Sequence, residues 1–63
     1  MNDEDILTID TLMKRLNIHV ESANETLAKG NGLGFEGALR GIKNVTERLL
    51  NEVADEKVKQ NAN

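Results

Sequence analysis

Ile6-Leu-Thr-Ile9-Asp-Thr-Leu12-Met13-Lys-Arg-Leu16-Asn17-Ile18-His19-Val20-Glu-Ser22-Ala23-Asn-Glu-Thr-Leu27 is the stretch whose reading decides the fold. Its apolar residues Ile6, Ile9, Met13, Leu16, Val20, Ala23 and Leu27 recur at alternating steps of three and four. A strand repeats every second residue, whereas a helix brings positions three and four apart onto one face. The spacing therefore predicts an amphipathic helix over about residues 4–29, with a heptad stripe. Asn2 or Asp3 suits its first cap, and the acidic Asp3, Glu4 and Asp5 suit the positive end of the helix dipole. Gly30 stands where a helix-ending glycine is expected. Leu12 and Ile18 fall off this stripe and are candidates for contact with a second protein.

Downstream, Phe35, Ala38, Leu39, Ile42, Val45, Leu49, Leu50 and Val53 form a second stripe at helical spacing, predicting a helix over about 36–58. Its period slips after Leu49, because the next heptad position is Glu52 rather than Val53. Such a slip favours a short bundle over a long coiled coil. Between the stripes, Gly30-Asn-Gly32-Leu-Gly34-Phe-Glu-Gly37 reads as a glycine-rich loop over 30–37. Beyond residue 58, the stretch 59–63 lacks apolar anchors apart from Ala62 and reads as a frayed tail. Asp10–Lys14, Glu25–Lys29, Glu36–Arg40 and Asp55–Lys59 are oriented for i,i+4 ion pairing. The expected fold is all-α: one domain over 1–63, an antiparallel helical hairpin.

Size then argues for self-association. The chain has 63 residues, no Cys, no Pro, no Trp, no Tyr and a single Phe. A domain this small buries only about 60% of its unfolded surface, and without disulfides or metal it relies on helix packing or oligomerisation. Each stripe is covered from one side only in a lone hairpin, so a homo-oligomer, with a dimeric four-helix bundle favoured, is the expected assembly. Its expected core is Ile6, Ile9, Met13, Leu16, Val20, Ala23, Leu27, Phe35, Ile42, Val45, Leu49 and Val53. Leu12, Ile18 and Leu50 are left as contacts for a protein partner.

The glycine cluster carries the sharpest chemical motif. Gly32-Leu-Gly34-Phe-Glu-Gly37 fits G-x-G-x-x-G and precedes a helix, where backbone N–H groups favour an anion. Lys29, Arg40 and Lys43 could add positive charge, which makes a nucleotide or another phosphorylated small molecule an alternative ligand. A helix rather than a strand precedes the glycines, and 63 residues leave no room for a βαβ unit. Gly37 and Gly41, four apart, imply either a helix that starts near Gly41 or a close approach of the other helix.

Leu12-Met-Lys-Arg-Leu16-Asn17-Ile18-His-Val-Glu-Ser-Ala23-Asn-Glu-Thr-Leu27 resembles the helix-turn-helix segment of many small bacterial and phage regulators. The resemblance implies buried Leu12, Leu16, Ile18, Ala23 and Leu27, a turn at Asn17 and a DNA-binding role. Glu21 and Glu25 on the implied recognition helix would face phosphate, and the net charge of -3 argues against nucleic acid.

His19 has no second His or Cys with which to hold a metal, and the scattered carboxylates form no convergent pair for acid–base work. No nucleophile–base pair, metal set or cofactor loop emerges, so the expectation is a non-enzymatic protein without cofactor. The acidic N-terminus is unlike a signal or transit peptide, and no apolar run nears the roughly 18 residues of a membrane span. These features give a cytoplasmic regulator, adaptor or inhibitor acting through helix-mediated protein binding.

Overall fold

The computed structural model describes residues 2–61, with side-chain surroundings for residues 2–55. It contains two helices, α1 (Asp3–Ala28) and α2 (Gly32–Asn61), packed against each other as a hairpin. Among the described residues there is no strand. The Asn2 side chain caps α1, accepting from the Asp5 N–H at 2.8 Å, and Asp3, Glu4 and Asp5 occupy the first turn. Three of the ion pairs read from the sequence form on the exposed flanks, Asp10–Lys14 at 3.0 Å, Glu25–Lys29 at 2.7 Å and Glu36–Arg40 at 2.8 Å, and the fourth, Asp55–Lys59, lies outside the described side chains.

The connection is tighter than the glycine pattern implied. Only Lys29, Gly30 and Asn31 lie between the helices. Gly30 takes φ +69°, its N–H donates to Leu27 O, and the Asn31 N–H donates to Thr26 O at 2.9 Å. This pair of bonds satisfies the last carbonyls of α1, and a glycine is the residue that enters the left-handed region without strain. Asn31 then starts α2, its side-chain oxygen accepting from the Gly34 N–H at 3.0 Å. The loop expected over 30–37 is thus corrected: Gly32, Gly34 and Gly37 are helical, because Asn31 supplies the cap that the spacing alone did not reveal. Similarly α2 runs to Asn61, so 59–61 are helix rather than tail, and 62–63 lie outside the described residues. Gly30→Ala is expected to cost about 1–2 kcal/mol, the penalty of a Cβ in the left-handed region, because nothing else crowds that site. A chemical-denaturation midpoint unchanged from wild type would overturn this.

Two contacts set the register. A Cβ added at Gly34 would meet the Thr26 methyl at 2.8 Å, and one at Gly41 would meet the His19 ring at 2.6 Å. The residue numbers add to 60 in both pairs, so the helices run antiparallel without slippage. On α1 the side turned to α2 carries Asp5, Ile9, Leu12, Leu16, His19, Ala23 and Thr26; on α2 it carries Phe35, Ala38, Ile42, Val45, Leu49 and Glu52. Both sets keep the three-and-four step throughout. The slip expected after Leu49 is therefore not present: Glu52 holds the heptad position, and Val53 is 40% exposed beside it.

This seam corrects the assignment of Leu12. It is the most buried side chain of the core, 2% exposed, alongside Ala23, Ala38 and Val45. Leu12 faces α2 because the hairpin turns α1 by one heptad position from its most apolar direction. The turn at Asn17 does not form either. α1 is continuous through Asn17, among the described residues only Gly30 has positive φ, and Ile18 is 63% exposed rather than buried. The unbroken helix leaves no helix-turn-helix.

Candidate functional site

With heptad letters a to g assigned so that Ile9 and Phe35 are a, the seam positions are a and d. In an antiparallel pair the e rows of both helices flank one side of the seam and the g rows the other. The d-row contacts agree, since His19 lies over Gly41 and Thr26 over Gly34, both at g. The two sides differ sharply in chemistry. The g rows carry Thr8, Arg15, Ser22 and Lys29 on α1, and Gly34, Gly41, Arg48 and Asp55 on α2. The e rows carry Ile6, Met13, Val20 and Leu27 on α1, and Leu39, Thr46 and Val53 on α2.

The e side is open. Ile6 is 51% exposed, Met13 43%, Val20 40%, Leu27 64% and Leu39 46%. In the seam, Leu12, Ala23, Ala38 and Val45 are buried, while Ile9, Leu16, Phe35, Ile42 and Leu49 at a and Asp5, His19, Thr26 and Glu52 at d are half-buried. Thr46 belongs to this face but spends its hydroxyl on Ile42 O at 2.8 Å, so it presents its methyl-bearing side without an unmet donor. The result is one apolar face along the hairpin and one polar face behind it. Sequence reading placed Ile6, Met13, Val20, Leu27 and Val53 in a core, and within a single hairpin all five are exposed. It missed Leu39 as a member of the open face. The signal was present, since Leu39, Thr46 and Val53 are seven apart, but Thr46 interrupts the apolar row.

The remaining candidates are dispersed. Ile18 and Leu50 are 63% and 68% exposed. Ile18 sits at c, on the g side, whereas Leu50 sits at b, next to the e row and on the edge of the open face. Lys29 is paired with Glu25 and Arg40 with Glu36. The hydrogen bond and charge of Lys29 hold the Glu25 carboxyl below its ordinary value of 4.5. That pairing is present above pH 4.5 and is lost as pH falls through the lowered value. Gly32, Gly34 and Gly37 form the first turns of α2 instead of a cradle, and the Gly34 N–H is already taken by Asn31. Lys43 is exposed one turn further on.

A depression of about 200 Å³ at the hairpin bend is lined by Thr26, Leu27, Gly30, Asn31, Gly32 and Phe35. Small-molecule sites run to roughly 300–1,000 Å³ and place a few convergent polar groups. This one is smaller and includes none of Lys29, Arg40 or Lys43 in its lining. Among the described residues no group of His, Cys, Asp or Glu could hold a metal ion, and no helix is long and apolar enough to cross a membrane.

Comparison with protein-family models, with curated proteins and with solved structures gives no match. The functional reading accordingly rests on these residues and their geometry.

Proposed function

We propose that this chain is a small non-enzymatic binding protein, a helical hairpin that associates with itself and presents helix surface to a protein partner as a regulator, adaptor or inhibitor does. The observation that carries the reading is the thinness of the hairpin. Its Cα extents are 50 × 16 × 10 Å, a single layer of two helices, so an apolar row on either broad side has nothing over it. A globular domain buries such a stripe between two layers. Here the second layer must come from another chain. After self-association Ile18 stays outside, together with Leu7 and Leu33, as apolar contacts left for a different protein, while Leu50 flanks the buried face.

Nothing at the bend favours the nucleotide alternative over this reading, given the small volume and the pairing of Lys29 with Glu25 and of Arg40 with Glu36. The test is absolute mass in solution by light scattering with refractive-index detection, because a chain without Trp or Tyr absorbs too little at 280 nm. A multiple of 7.0 kDa at micromolar concentration is expected. A helical particle that stays at 7.0 kDa up to millimolar concentration would overturn self-association.

A further inference from the structure

The open e-side face invites the question of what covers it, and three observations converge on one occupant. The first is area. The chain exposes 4866 Å², whereas a compact monomer of its 7.0 kDa would expose roughly 4,000 Å². The excess, about 800 Å², is surface that an elongated one-layer hairpin of 50 × 16 × 10 Å leaves open, and it is of the order one partner contributes to an interface of standard size.

The second is direction. The most apolar line of α1 runs through Ile6, Ile9, Met13, Leu16, Val20, Ala23 and Leu27, which are a and e positions. The seam with α2 runs through a and d. Seven positions divide the circle of a heptad, so these two lines are about 51° apart. In a four-helix bundle each helix points its apolar line at the bundle axis, about 45° from the direction of its nearest neighbour. α1 is therefore turned toward α2 by the amount that leaves its apolar line aimed at a bundle axis outside this hairpin. On α2 the line through Phe35, Leu39, Ile42, Thr46, Leu49 and Val53 makes the same turn toward the same side.

The third is the other face. The g side carries Arg15, Lys29, Arg48 and Asp55, whose burial would cost far more than it returned. Only one broad side of the hairpin is suited to burial, which favours a closed pair of copies over an open stack.

We infer that the face formed by Ile6, Met13, Val20, Leu27, Leu39 and Val53 binds the same face of a second copy of this chain, giving a two-fold symmetric four-helix bundle. This deepens the proposed reading and rests on its self-association. It assigns the surface, the partner and the closed stoichiometry.

The experiment uses the wild-type chain with its methionine methyls labelled for NMR and a soluble nitroxide as paramagnetic co-solute. Met13 sits mid-face and is 43% exposed in the hairpin alone. At concentrations where light scattering reports twice 7.0 kDa, the Met13 methyl is expected to broaden at least several-fold less than free methionine added to the same tube. Dilution to the monomer should remove that protection. The double variant Met13→Glu/Val20→Glu should lower the mass to that of one chain, and Leu7→Glu, on the back of α1, should leave the dimer intact. A dimer whose Met13 methyl broadens like free methionine would overturn the face while leaving self-association standing. A trimer or an open-ended series would overturn the closed pair. A monomer at all concentrations would overturn both this inference and the reading beneath it.

Discussion

Leu12→Ala is expected to abolish the cooperative fold. Leu12 is 2% exposed, and truncating a buried leucine removes about 2–5 kcal/mol through lost transfer free energy and the cavity left behind. Native domains hold roughly 0.05–0.15 kcal/mol per residue, about 3–9 kcal/mol for this length, so the loss matches much of the total. In the register set by Thr26 over Gly34 and His19 over Gly41, Leu12 lies level with Leu49, and Val45 one turn away is already buried, so little is free to fill the gap. Urea titration followed by helical circular dichroism should show the midpoint fall to near zero denaturant. Ile18→Ala, six residues on and 63% exposed, should move the midpoint by no more than a few tenths of a kcal/mol. The contrast is informative because the apolar periodicity ranks the two residues alike, both off the stripe. If Leu12→Ala unfolded no more easily than Ile18→Ala, the seam described here would be wrong.

That contrast also marks where the sequence was legible. Two helices, their antiparallel packing, the ending at Gly30 and the three exposed ion pairs follow from local rules that act within a few residues of each other. The rotation of α1 about its own axis does not. Its apolar line and its seam share Ile9, Leu16 and Ala23, but the seam takes Asp5, Leu12, His19 and Thr26 where the apolar line takes Ile6, Met13, Val20 and Leu27. A reading by hydrophobicity cannot choose Asp5, His19 or Thr26. They are tolerated because all three stay half-exposed, and Thr26 spends its hydroxyl on Ser22 O at 2.8 Å. The glycine-rich segment was misjudged for a related reason. Intrinsic propensity charges about 1 kcal/mol for each helical glycine, and what offsets it, the Asn31 cap and the packing of α2 on α1, is tertiary. The open apolar face was visible as an excess of apolar residues. Which side it occupied became clear only once the seam was fixed.

Gly37 and Gly41 test the packing most sharply, because the same substitution should have opposite signs at the two sites. Both lie inside α2, so replacement by alanine should favour the helix by about 1 kcal/mol at either. At Gly37 an added Cβ meets nothing within 4 Å, so Gly37→Ala should realise that gain. At Gly41 it would lie 2.6 Å from His19 Nδ1, 2.7 Å from Cε1 and 2.9 Å from Cγ. Rotating the ring about its own bond to Cβ cannot clear Cγ, so relief requires a new χ1 rotamer or a parting of the helices. Overpacking of this kind costs about 1–3 kcal/mol, which outweighs the propensity gain over most of that range. Gly41→Ala should therefore lower the denaturation midpoint that Gly37→Ala raises. Removing the ring should reverse the loss: in the His19→Ala background, Gly41→Ala should become neutral or stabilising. The resulting coupling, of order 0.5–3 kcal/mol, is the size found for residues in direct contact. A coupling near zero would mean that the His19 ring does not rest on Gly41 in solution. The register, in which His19 and Gly41 lie level, would then lose one of its two supports.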